Sequence, residues 1–168
     1  MIARTTFSRL APKHRLTAWA QLLAVAASAG PRETPWRAVT TGRGQYRRPT
    51  WQSTLTAPED ALAKLVRLVE LRDRGLQAPP PMATGASAAY AERRSGGASV
   101  EMAMEAAGKE WGGTFGDAAD RHLGYVYGSA PALSVLASAP DPVEGSVFGA
   151  VARELWDPLL AAETLGEP

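Results

Sequence analysis

The residues best suited to chemistry lie between residues 32 and 51. Arg32, Arg37, Arg43, Arg47 and Arg48 crowd this stretch, Glu33 is its single acid, and Trp36, Tyr46 and Trp51 are interleaved with them. Guanidinium groups pair with phosphate oxygens in bidentate fashion, and an aromatic face stacks on a base, so arginine mixed with aromatics suits a nucleic-acid surface. Arg37, Arg43, Tyr46, Arg47 and Arg48 are the candidate DNA-binding residues. The same pattern fits a solvated hairpin that carries surface arginines while Trp36 and Trp51 fill a core.

A second cluster is Asp117, Asp120 and His122. Two carboxylates and an imidazole can hold a metal, but this spacing matches no ligand frame, and aspartates at helix starts explain it more simply. Neither a GxSxG elbow nor an HExxH helix is present, and no GxGxxG or GxxxxGK[ST] phosphate loop occurs. With no cysteine there is no thiol catalysis and no disulfide framework. With His14 and His122 as the only histidines, a multi-histidine metal site is nearly ruled out. No residue set in the chain argues for catalysis.

The elements that must position these residues are well marked. Residues 36–41 alternate and are β-prone, residues 42–45 read as a turn, and residues 50–55 form a second strand-like run. Thr56-Ala57-Pro58-Glu59 reads as a capping box opening a helix, with Leu62, Leu65, Val66, Val69 and Leu76 in a stripe that Leu68 and Leu71 widen. Gly75 reads as its left-handed stop, and Pro79-Pro80-Pro81 prevents a restart. So apolar a helix is expected to be a central packing element. Residues 87–94 read as a short helix, Ser99 caps another through about residue 109, and residues 123–127 suit helix or strand. A last helix runs over residues 146–165 with a kink at Asp157-Pro158.

The N-terminus admits two readings. Residues 2–15 are basic and acid-free, and the run that follows ends in Ala27-Ser28-Ala29, which is the outline of a secretory signal. Leu16, Trp19, Leu22, Leu23 and Ala26 also recur at helical spacing, as in a buried helix over residues 16–29. The run is too short to span a membrane. Apolar residues make up 45% and charged residues 21% of the 168, enough for one domain with a core, and the net charge of +1 favours no polyanionic partner by itself.

Five segments in order, LTAWAQLLA, PWRAVTTGRG, LVRLVELRDRGLQAPPPMATGASAAYAE, KEWGGTFGDAADRHLGYVYG and FGAVARELWDPLLAAE, resemble the C-terminal end of the RecC (gamma) subunit of exodeoxyribonuclease V, the RecBCD helicase–nuclease, in its actinobacterial form. The resemblance covers residues 13–165; residues 1–12 fit it poorly and read as an extension. A whole family member is several times longer, so the chain is expected to be a C-terminal fragment.

The resemblance implies an α/β (α+β) fold, a degenerate PD-(D/E)xK nuclease-like domain with a small sheet, flanking helices and a helix-rich C-terminal half. It implies a non-catalytic DNA-positioning and subunit-docking role in double-strand break repair and degradation of linear DNA ends. RecB-like and RecD-like subunits and duplex DNA ends are the implied partners, in the cytoplasm and without a membrane. No cofactor is expected in this chain, ATP and Mg²⁺ belonging to the partner subunits. An active nuclease of this fold needs an Asp and then Glu-x-Lys on paired strands. Here those strands carry Thr40 and Thr41, then Ser53-Thr54-Leu55. The alternatives are an active Mg²⁺-dependent nuclease with displaced acids at Asp117 or Asp120, and a small secreted protein.

Overall fold

The computed structural model describes residues 1–30, 33–44, 49–128 and 131–168. Its elements are β1 (Ile2–Arg9), α1 (Pro12–Ala29), β2 (Arg37–Arg43), β3 (Trp51–Thr56), α2 (Ala61–Gln77), α3 (Thr84–Ser95), α4 (Val100–Trp111), α5 (Arg121–Tyr127), α6 (Leu133–Leu136), α7 (Val147–Ala162) and β4 (Glu163–Gly166). They form an α+β fold in two compact units, Met1–Asp73 with Pro158–Pro168, and Arg74–Asp157.

The first unit is a four-stranded mixed sheet in the order β1-β2-β3-β4. β1 and β2 run parallel, which requires a crossover, and α1 supplies it. Ala18, Trp19, Leu22 and Leu23 of α1 are buried, as are Ala38 and Leu55 of the strands against which the helix packs. The helical reading of this run is therefore the one the fold uses. Pro12 occupies the first turn, where no helical donor is lost. The Ala11 N–H is satisfied by His14 Nδ1 at 3.2 Å.

Residues 2–9, which read as part of an extension, are a strand of this sheet. Thr5, Thr6 and Phe7 favour strand, but the surrounding basic residues obscured any alternation. Gly42 and Arg43, expected in a turn, lie inside β2, and Gln45 of that turn lies outside the described residues. A methyl group on Gly42 would sit 3.0 Å from the Leu10 nitrogen and 3.0 Å from Thr6 Cγ2, so the close approach of β1, not a turn, calls for glycine.

The capping box does not form. Thr56 ends β3 opposite Arg37, its neighbour Ala57 still extends the ladder by donating its N–H to the Trp36 carbonyl at 2.8 Å, and α2 begins only at Ala61. α2 starts a turn later, where the Asp60 carbonyl accepts from the Lys64 N–H. Gly75 lies within the helix rather than ending it. Nor is α2 a central packing element: only Ala61 and Leu71 are buried, while Leu62, Val66, Val69 and Leu76 are exposed.

The second unit is helical. Ala86 and Tyr90 of α3, Ala103, Ala107 and Trp111 of α4, Leu136 and Phe148 make its core. Alanine on both helices lets α3 and α4 approach closely, and Tyr90 meets Phe148 edge-on at 5.7 Å and 77°. Trp111 Nε1 donates to the Pro131 carbonyl and Trp156 Nε1 to Ser87 Oγ, both at 2.9 Å, so each buried indole has a partner. Ser99 caps α4 as its sequence position predicts, accepting from the Met102 N–H.

The last helix ends at Ala162, not 165. Residues Glu163–Gly166 leave it to pair antiparallel with β3.

Candidate nucleic-acid interface

The register gives the sheet two unlike faces. Arg4 reaches Gln21 of α1 at 3.0 Å, so Arg4, Thr40, Ser53 and their neighbours across the ladder point toward α1. Ala3, Thr5, Arg9, Arg37, Val39, Thr41, Arg43, Gln52, Thr54 and Thr56 then stand on the opposite face. That face is open. Arg9, Arg37 and Arg43 are exposed, and none of the other residues on it is buried. Phe7, in the irregular stretch between Thr5 and Arg9, is 97% exposed.

β1, β2 and β3 contain no acidic residue, and Arg9, Arg37 and Arg43 make no ion pair among the described residues. The register places Arg9 directly opposite Arg43. Like charges facing each other across a ladder repel. Of the candidate DNA-binding residues, Arg37 and Arg43 are thus brought to one exposed surface at the two ends of β2. Tyr46, Arg47 and Arg48 lie outside the described residues.

The face toward α1 is closed over a polar cluster. Glu163 accepts from Arg15 Nε at 2.9 and 3.0 Å, through its two oxygens, and from Arg15 Nη2. Ser53 Oγ donates to the same carboxylate at 2.5 Å. Both charged side chains are almost wholly buried, 5% and 2% exposed. Thr40, opposite Ser53, is 2% exposed, and its hydroxyl has no hydrogen-bond partner among the described residues. No local pattern pairs Arg15 with Glu163, since the two lie 148 positions apart and Glu163 reads as part of the last helix.

Asp117 and Asp120 are both engaged in backbone contacts. Asp117 accepts the Ala86 N–H at 2.7 Å, at the start of α3; burial raises its pKa, and hydrogen bonds from the Ala86 and Gly85 N–H groups hold it back. Asp120 caps α5 through the His122 N–H at 2.8 Å. Among the described residues no three His, Asp or Glu side chains gather as metal ligands.

A second cluster centres on Glu144, 4% exposed. It accepts from Tyr90 Oη at 2.8 Å, Arg94 Nε at 2.8 Å and Arg153 Nη1 at 2.8 Å. The Arg94 contact first, then those of Arg153 and Tyr90, draw its pKa down to about 2 against the desolvation that opposes them. Burial, then the Glu144 carboxylate, pushes the Tyr90 phenol up. With Arg94 also donating to the Ala98 carbonyl and Arg153 to Asp157, the hub ties four segments of the second unit together.

What these features define is a small α+β fold of two units, each with one buried carboxylate–arginine cluster, and with Arg9, Arg37 and Arg43 on an exposed sheet face. The family model of the RecC C-terminal domain matches residues 1–95, more than half the chain, and the match includes β1. The chain belongs to that family. Over 164 residues it is 36% identical to the RecBCD enzyme subunit RecC of Mycobacterium tuberculosis (strains CDC 1551 / Oshkosh and ATCC 25618 / H37Rv), a match covering 94% of this chain and 15% of that protein. Over 167 residues it is 32% identical to the RecBCD enzyme subunit RecC of Mycolicibacterium smegmatis, covering 96% of this chain and 15% of the relative. The chain thus spans about 15% of the length of the relatives it matches and corresponds to a C-terminal fragment of them.

Proposed function

We propose that this chain is a non-catalytic domain that positions duplex DNA and docks subunits in a RecBCD-type complex, in the cytoplasm, with RecB-like and RecD-like chains as partners. The observation that carries the reading is the open, acid-free sheet face with Arg9, Arg37 and Arg43. Guanidinium groups there meet phosphate oxygens, and the threonine hydroxyls of Thr5, Thr41, Thr54 and Thr56 add neutral donors. Such contacts hold a duplex in register without reading its sequence.

The sheet is a degenerate nuclease-like core in this reading. In support, the hairpin β2–β3 leads into α2, and its centre holds Thr40 and Ser53 where a nuclease needs carboxylates. Glu163, whose carboxylate meets Ser53, is paired with Arg15.

The test is fluorescence anisotropy of a blunt duplex end with the purified chain at low salt. Binding is expected, and Arg37→Ser with Arg43→Ser should weaken it at least ten-fold. Binding that ignores both substitutions would refute the assigned surface. Cleavage of linear DNA in Mg²⁺ or Mn²⁺ that is lost on Asp120→Ala would establish a nuclease instead.

A further inference from the structure

We infer that the solvent side of α2 near its start, with the cleft beside it, is the seat of an amphipathic helix from the part of a RecC chain that lies outside these 168 residues. The inference rests on membership of the family and makes no use of DNA contact.

Leu62 is 62% exposed, and Val66 and Val69 are each 46% exposed. At spacings of four and three they stand in one line on the helix, and the side chains that α2 buries, Ala61 and Leu71, lie elsewhere on its circumference. α2 is therefore apolar on two sides, whereas a helix lying on its own domain needs one. Leu62 also lines a cleft of about 450 Å³ with Ala26, Ala27, Trp36, Pro58 and Ala61. Stripe and cleft together make a continuous apolar surface of the kind that marks an interaction site.

The spacing selects the shape of the occupant. Side chains at i, i+4 and i+7 leave grooves that the ridges of another helix fill, whereas a strand with its period of two meets only alternate positions. Glu59 and Glu70 are exposed on α2 and at its entry, and neither makes an ion pair among the described residues. An apolar line flanked by Lys or Arg is their complement.

The source of the occupant follows from length. The relatives continue for most of their sequence beyond the region matched here, which is 15% of each. A helix in that remainder meets the stripe at an effective concentration that a free partner or a second copy does not reach.

The chain has no cysteine, so Val69→Cys creates its single thiol. The rate of maleimide labelling at residue 69, followed by mass spectrometry of that peptide, is compared between the 168-residue chain and the same chain replacing the matched segment of the M. tuberculosis RecC protein. Labelling is expected to be at least ten-fold slower in the chimera, while Arg67→Cys, on the polar side of α2, labels equally in both. Equal rates at residue 69 would overturn the inference. So would protection already present in the isolated chain that grows with its concentration, which assigns the stripe to a second copy. Should amide exchange show α1 unfolded in the chimera, the two pieces are mixed instead. Leu62→Glu with Val66→Glu must then weaken their association at least ten-fold, and unchanged association refutes the inference.

Discussion

Two residues show how single side chains set local stability here. The Thr40 hydroxyl is buried in the sheet with no partner among the described residues, a state that costs roughly 1–3 kcal/mol relative to a satisfied group. Thr40→Val keeps the shape and removes the hydroxyl. It is expected to leave the midpoint of urea unfolding unchanged or to raise it by the equivalent of about 1 kcal/mol; a clear drop would show that the hydroxyl has a partner. Glu144 acts in the opposite sense, because every one of its contacts is with a donor. Its carboxyl titrates at about 2 in the fold against 4.5 ordinarily, so between those values the folded state holds fewer protons than the unfolded one. The stability it contributes is complete above pH 4.5 and is lost as the pH falls toward 2. Acid unfolding followed by near-ultraviolet circular dichroism should show this loss, and Glu144→Gln should make the protein less stable at pH 7 and flatten the dependence below 4.5.

At the scale of elements, one ion pair anchors β4. Four residues after a helix do not make a strand by propensity, and Glu163-Thr164-Leu165 read as the end of the last helix. The Arg15 guanidinium, fixed on α1, and Ser53 on β3 hold the Glu163 carboxylate under the sheet, and the backbone follows into the ladder. Removing one partner of a buried pair leaves an uncompensated charge, so Arg15→Ala should cost about 3–5 kcal/mol. The double variant Arg15→Met with Glu163→Leu should cost less than Arg15→Ala alone. Urea titrations of the three proteins measure both quantities, and an Arg15→Ala protein as stable as the parent would refute the account. α2 shows the converse case. Its amphipathic pattern was plain in the sequence, but pattern says only that an apolar face exists, and the fold leaves most of that face to solvent.

For the whole molecule, a net charge of +1 gives almost no long-range attraction to DNA, so any affinity must come from the local arrangement of cations. Each phosphate contact releases condensed counterions and contributes about 0.9 to the slope of log affinity against log salt on a duplex. If Arg37 and Arg43 each hold one phosphate, the double serine variant should lower that slope by roughly two. A slope that stays the same while affinity falls would mean that the arginines act through the fold and not through phosphate.

The sequence by itself determined the helices α1, α3, α4 and α7, the hairpin β2–β3 and membership of the RecC family. In each case the evidence was local or ordered along the chain: apolar periodicity, Ser99 before its helix, alternation flanked by turn residues, five segments in series. It also marked Arg37 and Arg43, because arginine crowding without acids is visible in one dimension. Only the tertiary structure decided the rest. β1 and β4 have little pattern of their own and become strands because β2 and β3 offer them edges. Thr56 ended as the last strand residue instead of a cap, since pairing with β2 carries the chain on past it to Ala57. Arg15, Ser53 and Glu163 became one buried cluster because residues 110 and 148 positions apart are joined by sheet register, which no local spacing encodes.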